Sequence, residues 1–187
     1  MQALIDYFTK QGFKEESLKE FLACIKKRTF EENEFILTEG QTENYLSFID
    51  KGVVRYFVNS KDKEITFDFA FANSFYCAYD SFYQRKETKI YIQAITDCVL
   101  YSISHENLNK LYNTCENAKK LGRLATEFLL SKKVKRELDL LTKTPQERYE
   151  ALFTEQPELI RLIPQKYIAS YIGIAAETLS RIRKRIS

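Results

Sequence analysis

The sequence contains no tryptophan, a single histidine (His105), one methionine, five glycines and three prolines. One histidine excludes the common histidine-dependent centres: no HExxH pair, no two-histidine facial triad, and no choice of bases for a Ser-His-Asp arrangement. The same shortage argues against a jelly-roll metalloenzyme, whose site needs two or three histidine ligands. Five glycines leave little material for a phosphate-cradling loop, and neither a P-loop nor a GxGxxG run occurs. The four cysteines, Cys24, Cys77, Cys98 and Cys115, stand too far apart for zinc or iron–sulfur spacing, so buried free thiols are expected. No apolar run approaches about eighteen residues, and the start MQALIDYFTKQGF has neither a basic n-region nor a small-residue cleavage site. Together these absences predict a cytoplasmic protein with no membrane partner that is not an enzyme and holds no metal or cofactor.

What is present is a core and a segregated charge. Hydrophobic residues make up 44% of 187, enough for one sizeable domain and a small second one. The net charge is only +3, yet residues 165–187 carry five Lys/Arg against one Glu, which leaves the rest of the chain slightly acidic. A basic terminal segment on an otherwise neutral protein points to a polyanionic partner.

Along the chain, residues 2–28 read as helical, first from Ala3 to Lys10 and then from a Ser17 cap through Leu18, Phe21, Leu22 and Ile25. From Thr29 to about Ser104 the period becomes twofold: Ile65, Phe67, Phe69 and Phe71 alternate with Thr66, Asp68 and Ala70. Further strand-like runs at 35–37, 45–49, 53–58, 90–95 and 98–103, broken at Gly40, Gly52, 59–63 and 96–97, predict an eight-strand antiparallel jelly roll. Phe75, Tyr76, Tyr79, Phe82, Tyr83 and Tyr91 crowd one stretch. They read either as the wall of an effector pocket or as core and rim, and the dominance of aromatics in cores favours the second.

Ser104 can cap a short helix through Tyr112, and a longer helical pattern runs from about Glu116 to Leu141. Leu121, Leu124 and Phe128, with Ala125 and Leu129, form an apolar stripe that reads as a dimer seam against the same helix of a second chain; the alternative is a linker helix lying on the β domain. Thr144-Pro145-Gln146-Glu147 is a capping-box spacing with proline at the first helical position, so a new helix begins there and runs to about Thr154. Pro157 is expected to end that helix or follow its end, and Pro164 to precede the next. The chain therefore divides into 1–115, 116–143 and 144–187.

The last segment, QKYIASYIGIAAETLSRIRKRIS, has the layout of a short helix, a glycine turn and a basic helix. Gly173 is the hinge, expected at positive φ, and the small Ala169 allows close approach. Leu179, Ile182 and Ile186 make an inward stripe, while Glu177, Ser180, Arg181 and Lys184 face away. That outward stripe suits base reading: arginine forks onto guanine, a carboxylate accepts from cytosine, and Thr178, Lys184 and Arg185 suit phosphates.

Helical arm, jelly roll, long helix and helix-turn-helix, in that order, resemble the cyclic-AMP receptor protein and FNR family of bacterial transcription regulators. The residues that carry the resemblance are FILTEGQTENYLSFIDKGVVRYFV (Phe35 to Val58), AITDCVLYSIS (Ala94 to Ser104) and, most specifically, IASYIGIAAETLSRIRKRI. It implies an α+β fold: a cyclic-nucleotide-binding-like β roll, a dimerisation helix and a DNA-binding domain. It implies a homodimer reading palindromic double-stranded DNA, with RNA polymerase as a further partner. Ala176, Glu177 and Arg181 fall where the family places base-contacting residues, and Ala176 has no hydrogen-bonding side chain to offer. The sensor departs from the pattern: where the family has a Gly-Glu-Leu cassette and an Arg-Ser or Arg-Thr pair, this chain has Asn73-Ser74-Phe75 and Thr88-Lys89. Cyclic AMP is therefore not the expected effector; an unidentified small molecule would meet Phe75, Tyr76, Thr88, Lys89 and Tyr91. The FNR-type cysteine cluster is missing, and the wing that follows the reading helix in the family has no counterpart before Ser187, so fewer phosphate contacts are expected. The alternative function is a small-molecule-binding regulatory module acting through protein contacts.

Overall fold

The computed structural model describes residues 1–61, 63–114 and 116–186; the side chains of 116, 117, 121, 124 and 128 lie outside the described set. The expected dimer seam, Leu121, Leu124 and Phe128, therefore falls outside it, as does Cys115. The N-terminal arm is α1 (Gln2–Lys10), a single 3-10 turn over Glu15–Leu18, and α2 (Lys19–Ala23). The continuous helix expected from Ser17 to Ile25 does not form. Ser17 does not cap it: its hydroxyl bonds back to the Lys14 carbonyl at 2.6 Å, the local competition that keeps serine out of helix interiors.

Among the described residues eight strands follow: β1 (Lys26–Phe30), β2 (Phe35–Leu37), β3 (Tyr45–Lys51), β4 (Val53–Ser60), β5 (Lys63–Phe71), β6 (Ser74–Tyr76), β7 (Tyr91–Ala94) and β8 (Cys98–Ser104), with the short helix α3 (Tyr79–Gln84) between β6 and β7. They form two four-stranded sheets, ordered β1-β8-β3-β6 and β2-β7-β4-β5, the jelly roll that the alternation predicted. Two strands had no clear sequence signal. In β1, Lys-Lys-Arg-Thr-Phe has no apolar alternation because it is an edge strand with Lys26 and Lys27 exposed and Arg28 laid over the Phe30 and Tyr45 rings, and β6 is only three residues long.

Strand alternation divides the aromatic residues between two places. Phe48 of β3 joins Leu4, Phe8, Phe13, Leu18 and Phe21 of the arm in one buried cluster, and the half-buried Phe75 of β6 packs against it. On the opposite faces Ser47 and Ser102 meet, Oγ to Oγ 2.8 Å, and Tyr56 of β4 touches Tyr76 of β6 edge-on at 6.4 Å, joining the two sheets. The turn between β3 and β4 requires glycine: Gly52 has φ +101°, and a Cβ there would lie 2.5 Å from the Asp97 carbonyl oxygen and 2.6 Å from Cys98 Sγ.

The helical half comprises α4 (His105–Thr114), α5 (Glu116–Thr142, 27 residues), α6 (Pro145–Glu155), α7 (Pro157–Leu162), α8 (Gln165–Tyr171) and α9 (Ala176–Ile186). Ser104 Oγ accepts from the Asn107 N–H at 3.2 Å and caps α4 as expected. Pro157 follows the end of α6, as expected, and opens α7 at its first position, where its missing N–H costs nothing. None of the helices in the described residues is long and apolar enough to cross a membrane. The chain forms two compact units: Met1–Val58 with Asp68–Arg123, and Asn59–Phe67 with Leu124–Ser187. The tip of the β4–β5 hairpin thus belongs with the C-terminal helices.

The capping box of α6 is reciprocal. Thr144 Oγ1 accepts from the Glu147 N–H at 3.3 Å, and the Glu147 carboxylate accepts from the Thr144 N–H at 2.8 Å. That N–H, with the Thr144 hydroxyl, holds the Glu147 carboxyl below its usual range. A folded pKa below the unfolded one means the contribution is present above the ordinary carboxylate range and is lost as pH falls through the folded value. Thr144→Ala should therefore cost about 1 kcal/mol near neutral pH and less in acid, read as the difference in thermal midpoint between the two proteins at pH 7 and pH 3.

Candidate nucleic-acid interface

The α8–α9 pair is set by its turn. Gly173 has φ +80°, as expected, and two backbone bonds close the end of α8: the Ile174 N–H to the Ala169 carbonyl at 3.0 Å and the Gly173 N–H to the Ser170 carbonyl at 3.1 Å. These are the paired bonds of a Schellman ending, which needs its left-handed residue where Gly173 stands. Ile168, Ala169, Tyr171 and Ile172 of the first helix and Leu179 and Ile182 of the second are buried against one another and the neighbouring helices. Ile186, the third member of the expected inward stripe, is instead 38% exposed, because it lies in the last turn of α9, past the end of that small core.

Two arginines from other helices take the carbonyls that the end of α8 leaves open. Arg136 of α5 donates from Nη2 to the Tyr171 carbonyl at 2.7 Å, and its guanidinium lies 3.9 Å over the Tyr171 ring. Arg148 of α6 donates from Nε to the Ile172 carbonyl at 2.9 Å and from Nη1 to the Lys143 carbonyl at 2.5 Å. Cations at the negative end of a helix are favourable, and charge-assisted bonds are stronger than neutral ones. A polar residue on a helix surface has no periodic signal, so sequence reading passed over both arginines.

The outward face of α9 is open. Ala176, Glu177, Ser180, Arg181, Lys184 and Arg185 are exposed and Thr178 is half-buried. Among the described residues no ion pair or side-chain hydrogen bond engages Glu177, Arg181, Lys184 or Arg185, so their charges remain available to a partner. Arg183, Lys184 and Arg185 crowd the last turn.

The residues expected to meet an effector are spread apart. Tyr76 points between the sheets, where burial pushes its phenol well above the usual range. Phe75, one residue earlier, points the other way and packs edge-on against Tyr7 at 5.4 Å and Phe48 at 5.2 Å. Tyr91 pairs across β7–β4 with Phe57, stacking on it at 4.9 Å on the side away from Tyr56, and its hydroxyl donates to Glu39 at 3.2 Å. Thr88 is buried in a loop, its N–H on the Gln41 carbonyl and its Oγ1 accepting from the Ile90 N–H, while Lys89 is exposed.

A polar knot of the buried Glu43 and the exposed Arg85 lies beside α3. The Glu43 carboxylate accepts from the Tyr45 and Ala78 N–H groups, and burial raises its pKa. Arg85 donates to the Glu43 carbonyl and to Asn44 Oδ1, each at 2.6 Å. Cys24 is half-buried and Cys77 and Cys98 are buried; burial pushes the Cys98 thiol up to about 11.

Comparison with known proteins bears on both halves. Residues 27–115 match the family model of the cyclic nucleotide-binding domain. No curated protein matches the sequence. Among solved structures, FixK2 from Bradyrhizobium japonicum superposes with a TM-score of 0.75 at 18% identity, over 87% of this chain and 84% of that one. A transcriptional regulator of the Crp/Fnr family from Eubacterium rectale gives a TM-score of 0.74 at 15% identity, covering 97% and 87%. The c-di-GMP responsive global regulator CLP of Xanthomonas campestris gives 0.71 at 18%, covering 92% and 91%. At these identities the shared property is the fold.

The turn separates strain from space. A Cβ at Gly173 would meet nothing nearer than Leu140 at 3.8 Å and Arg148 at 3.9 Å, so Gly173→Ala should cost only its left-handed backbone, about 1–2 kcal/mol. Gly173→Asn, which tolerates that conformation better, should cost less; urea denaturation of the three proteins gives the order.

Proposed function

We propose that this chain, with a cyclic nucleotide-binding domain over 27–115 and the fold of the Crp/Fnr regulators, is a homodimeric DNA-binding transcription regulator. In this reading 1–115 is the sensor, 116–143 the dimerisation helix and 144–187 the reader; the protein works in the cytoplasm by binding rather than catalysis, with RNA polymerase as a further partner. The observation that carries it is the outward face of α9, where Glu177, Arg181, Lys184 and Arg185 stand free on a helix whose other face is anchored by Leu179 and Ile182. Arg181 and Glu177 read bases, as guanine and cytosine partners respectively, and Ala176 contributes at most an apolar contact. Thr178, Lys184 and Arg185 hold phosphates, and Ser180 stands with Glu177 and Arg181 on the base-facing stripe. The two half-sites lie about one helical turn apart, roughly 34 Å.

The sensor takes a small molecule other than cyclic AMP. The phosphate arginine of the resembled family is Thr88 here, a buried residue whose hydroxyl and amide already have backbone partners.

For the dimer, α5 offers apolar surface beyond the 121–128 stripe. Leu130, Val134, Leu138 and Leu141 are 63%, 47%, 54% and 77% exposed on one side of the helix, an unusual amount of aliphatic surface to leave in water. A second copy is the occupant we assign to it.

In a salt-titrated binding assay, Arg181→Ala should weaken binding to a palindromic site by about 1–3 kcal/mol and relax preference at one base pair of each half-site. An unchanged Arg181→Ala protein, or a wild type that binds scrambled DNA equally well, removes the reader assignment. If the chain binds a small molecule yet shows no salt-dependent DNA affinity, the protein-contact module is the better reading.

Leu138→Glu should yield a monomer in sedimentation at micromolar concentration. A dimer that survives this change but is broken by Phe128→Glu places the seam on the 121–128 stripe alone.

A further inference from the structure

Three consecutive residues at the end of α8 each hold a different part of the chain. The Tyr171 carbonyl is held by Arg136 of α5, and the Ile172 carbonyl by Arg148 of α6. The third, Ser170, holds the tip of the β4–β5 hairpin. Strand β5 is an edge of its sheet, so the backbone groups on its free side lack a neighbouring strand. The Ser170 hydroxyl stands in for one: Oγ accepts from the Thr66 N–H at 2.8 Å and donates to the Glu64 carbonyl at 3.3 Å. In an extended strand the carbonyl of residue 64 and the N–H of residue 66 project to the same side, so one hydroxyl satisfies both. Thr66 itself is only 1% exposed, and Ser170 is half-buried. Beside it Lys133 of α5 lies 5.4 Å over the Phe67 ring.

The other ends of these strands are in the β roll. β4 pairs with β7 from Val54↔Ala94 to Phe57↔Tyr91 and carries Tyr56, which touches Tyr76 between the sheets. The hairpin is thus a continuous strap from the roll interior to the first helix of the α8–α9 pair. Its far end is fastened by a side-chain hydroxyl, which exchanges partners more readily than a buried ladder.

From this geometry we infer that Ser170 is a positioning residue, a latch through which the β4–β5 strap communicates the state of the roll to the reader. The inference rests on the DNA-reading function proposed above. Closing the latch fixes α8, and with it α9, relative to the hairpin; opening it frees the reader from the strap while leaving the α9 side chains intact.

The latch can be cut from either side. Ser170→Ala removes the hydroxyl, and Thr66→Pro removes the donor, a change an edge strand accepts where the N–H points out of the sheet. Ser170→Thr keeps the hydroxyl and should behave as wild type. Hydrogen exchange of the free protein tests the mechanical claim without DNA. Thr66→Pro should speed exchange of the Gly173 and Ile174 amides about three- to tenfold, the loss expected of one hydrogen bond. If exchange stays unchanged there, the latch is overturned whatever the protein binds. Operator affinity then tests the coupling by a double-mutant cycle. Ser170→Ala and Thr66→Pro should each shift the Kd by a similar factor, and the double variant no further. Multiplicative effects, or no shift in either, overturn the coupling. A wild type that fails to bind DNA defeats the functional reading alone, and the exchange result still stands.

Discussion

The carbonyl end of α8 is the constraint on which the C-terminal unit depends. A helix end leaves its last carbonyls without intrahelical partners, and here the turn at Gly173 satisfies two of them while Arg136 and Arg148 bind the next two. Both arginines come from helices that precede α8, so one set of charge-assisted bonds both finishes the helix and fixes its place in the bundle. The α9 face inherits its direction from that arrangement: Leu179 and Ile182 have one small core to enter, and Glu177, Arg181, Lys184 and Arg185 are left on the other side. The duplex reading proposed for α9 needs side chains presented from a rigid frame, and this frame is built from backbone carbonyls as well as a small apolar core.

The β roll follows a different logic. Its arm-facing side is a close cluster of aromatic rings, Tyr7, Phe8, Phe48 and Phe75 among them, at edge-on distances. Its inter-sheet side mixes Tyr56, Tyr76 and the Ser47–Ser102 pair. Around α3 the buried Glu43 carboxylate and the Arg85 guanidinium are already bonded to backbone groups. The effector proposed for this domain is accordingly one other than cyclic AMP.

Much of the architecture was legible because its causes are local. The capping box at Thr144 and Glu147, the cap at Ser104, the positive φ of Gly173 and the twofold alternation of 65–71 each act within a few residues. Local reasoning failed where a second force competed. Ser17 had the type of a cap and bonded backward instead. The β1 sequence had no strand pattern, since an edge strand can leave its lysines in water. Phe75 and Tyr91 were grouped by proximity in sequence, yet alternation turns both away from the inter-sheet space that Tyr76 enters.

By itself the sequence determined the order of elements, the turn that joins α8 to α9 and the separation of α9 into a buried and a basic face. Helical period, strand period and glycine dihedrals are properties of short windows, and a short window suffices to show them. Only the tertiary structure decided what holds those elements: Arg136 reaches Tyr171 across 35 residues, Arg148 reaches Ile172 across 24, and Ser170 meets Thr66 across 104. Their partners are backbone groups, which every residue carries alike, so nothing in residue type marks which carbonyl or amide will be met. Folding also assigned the hairpin tip at 59–67 to the unit that contains α8 and α9, because the free edge of β5 finds its missing partner there.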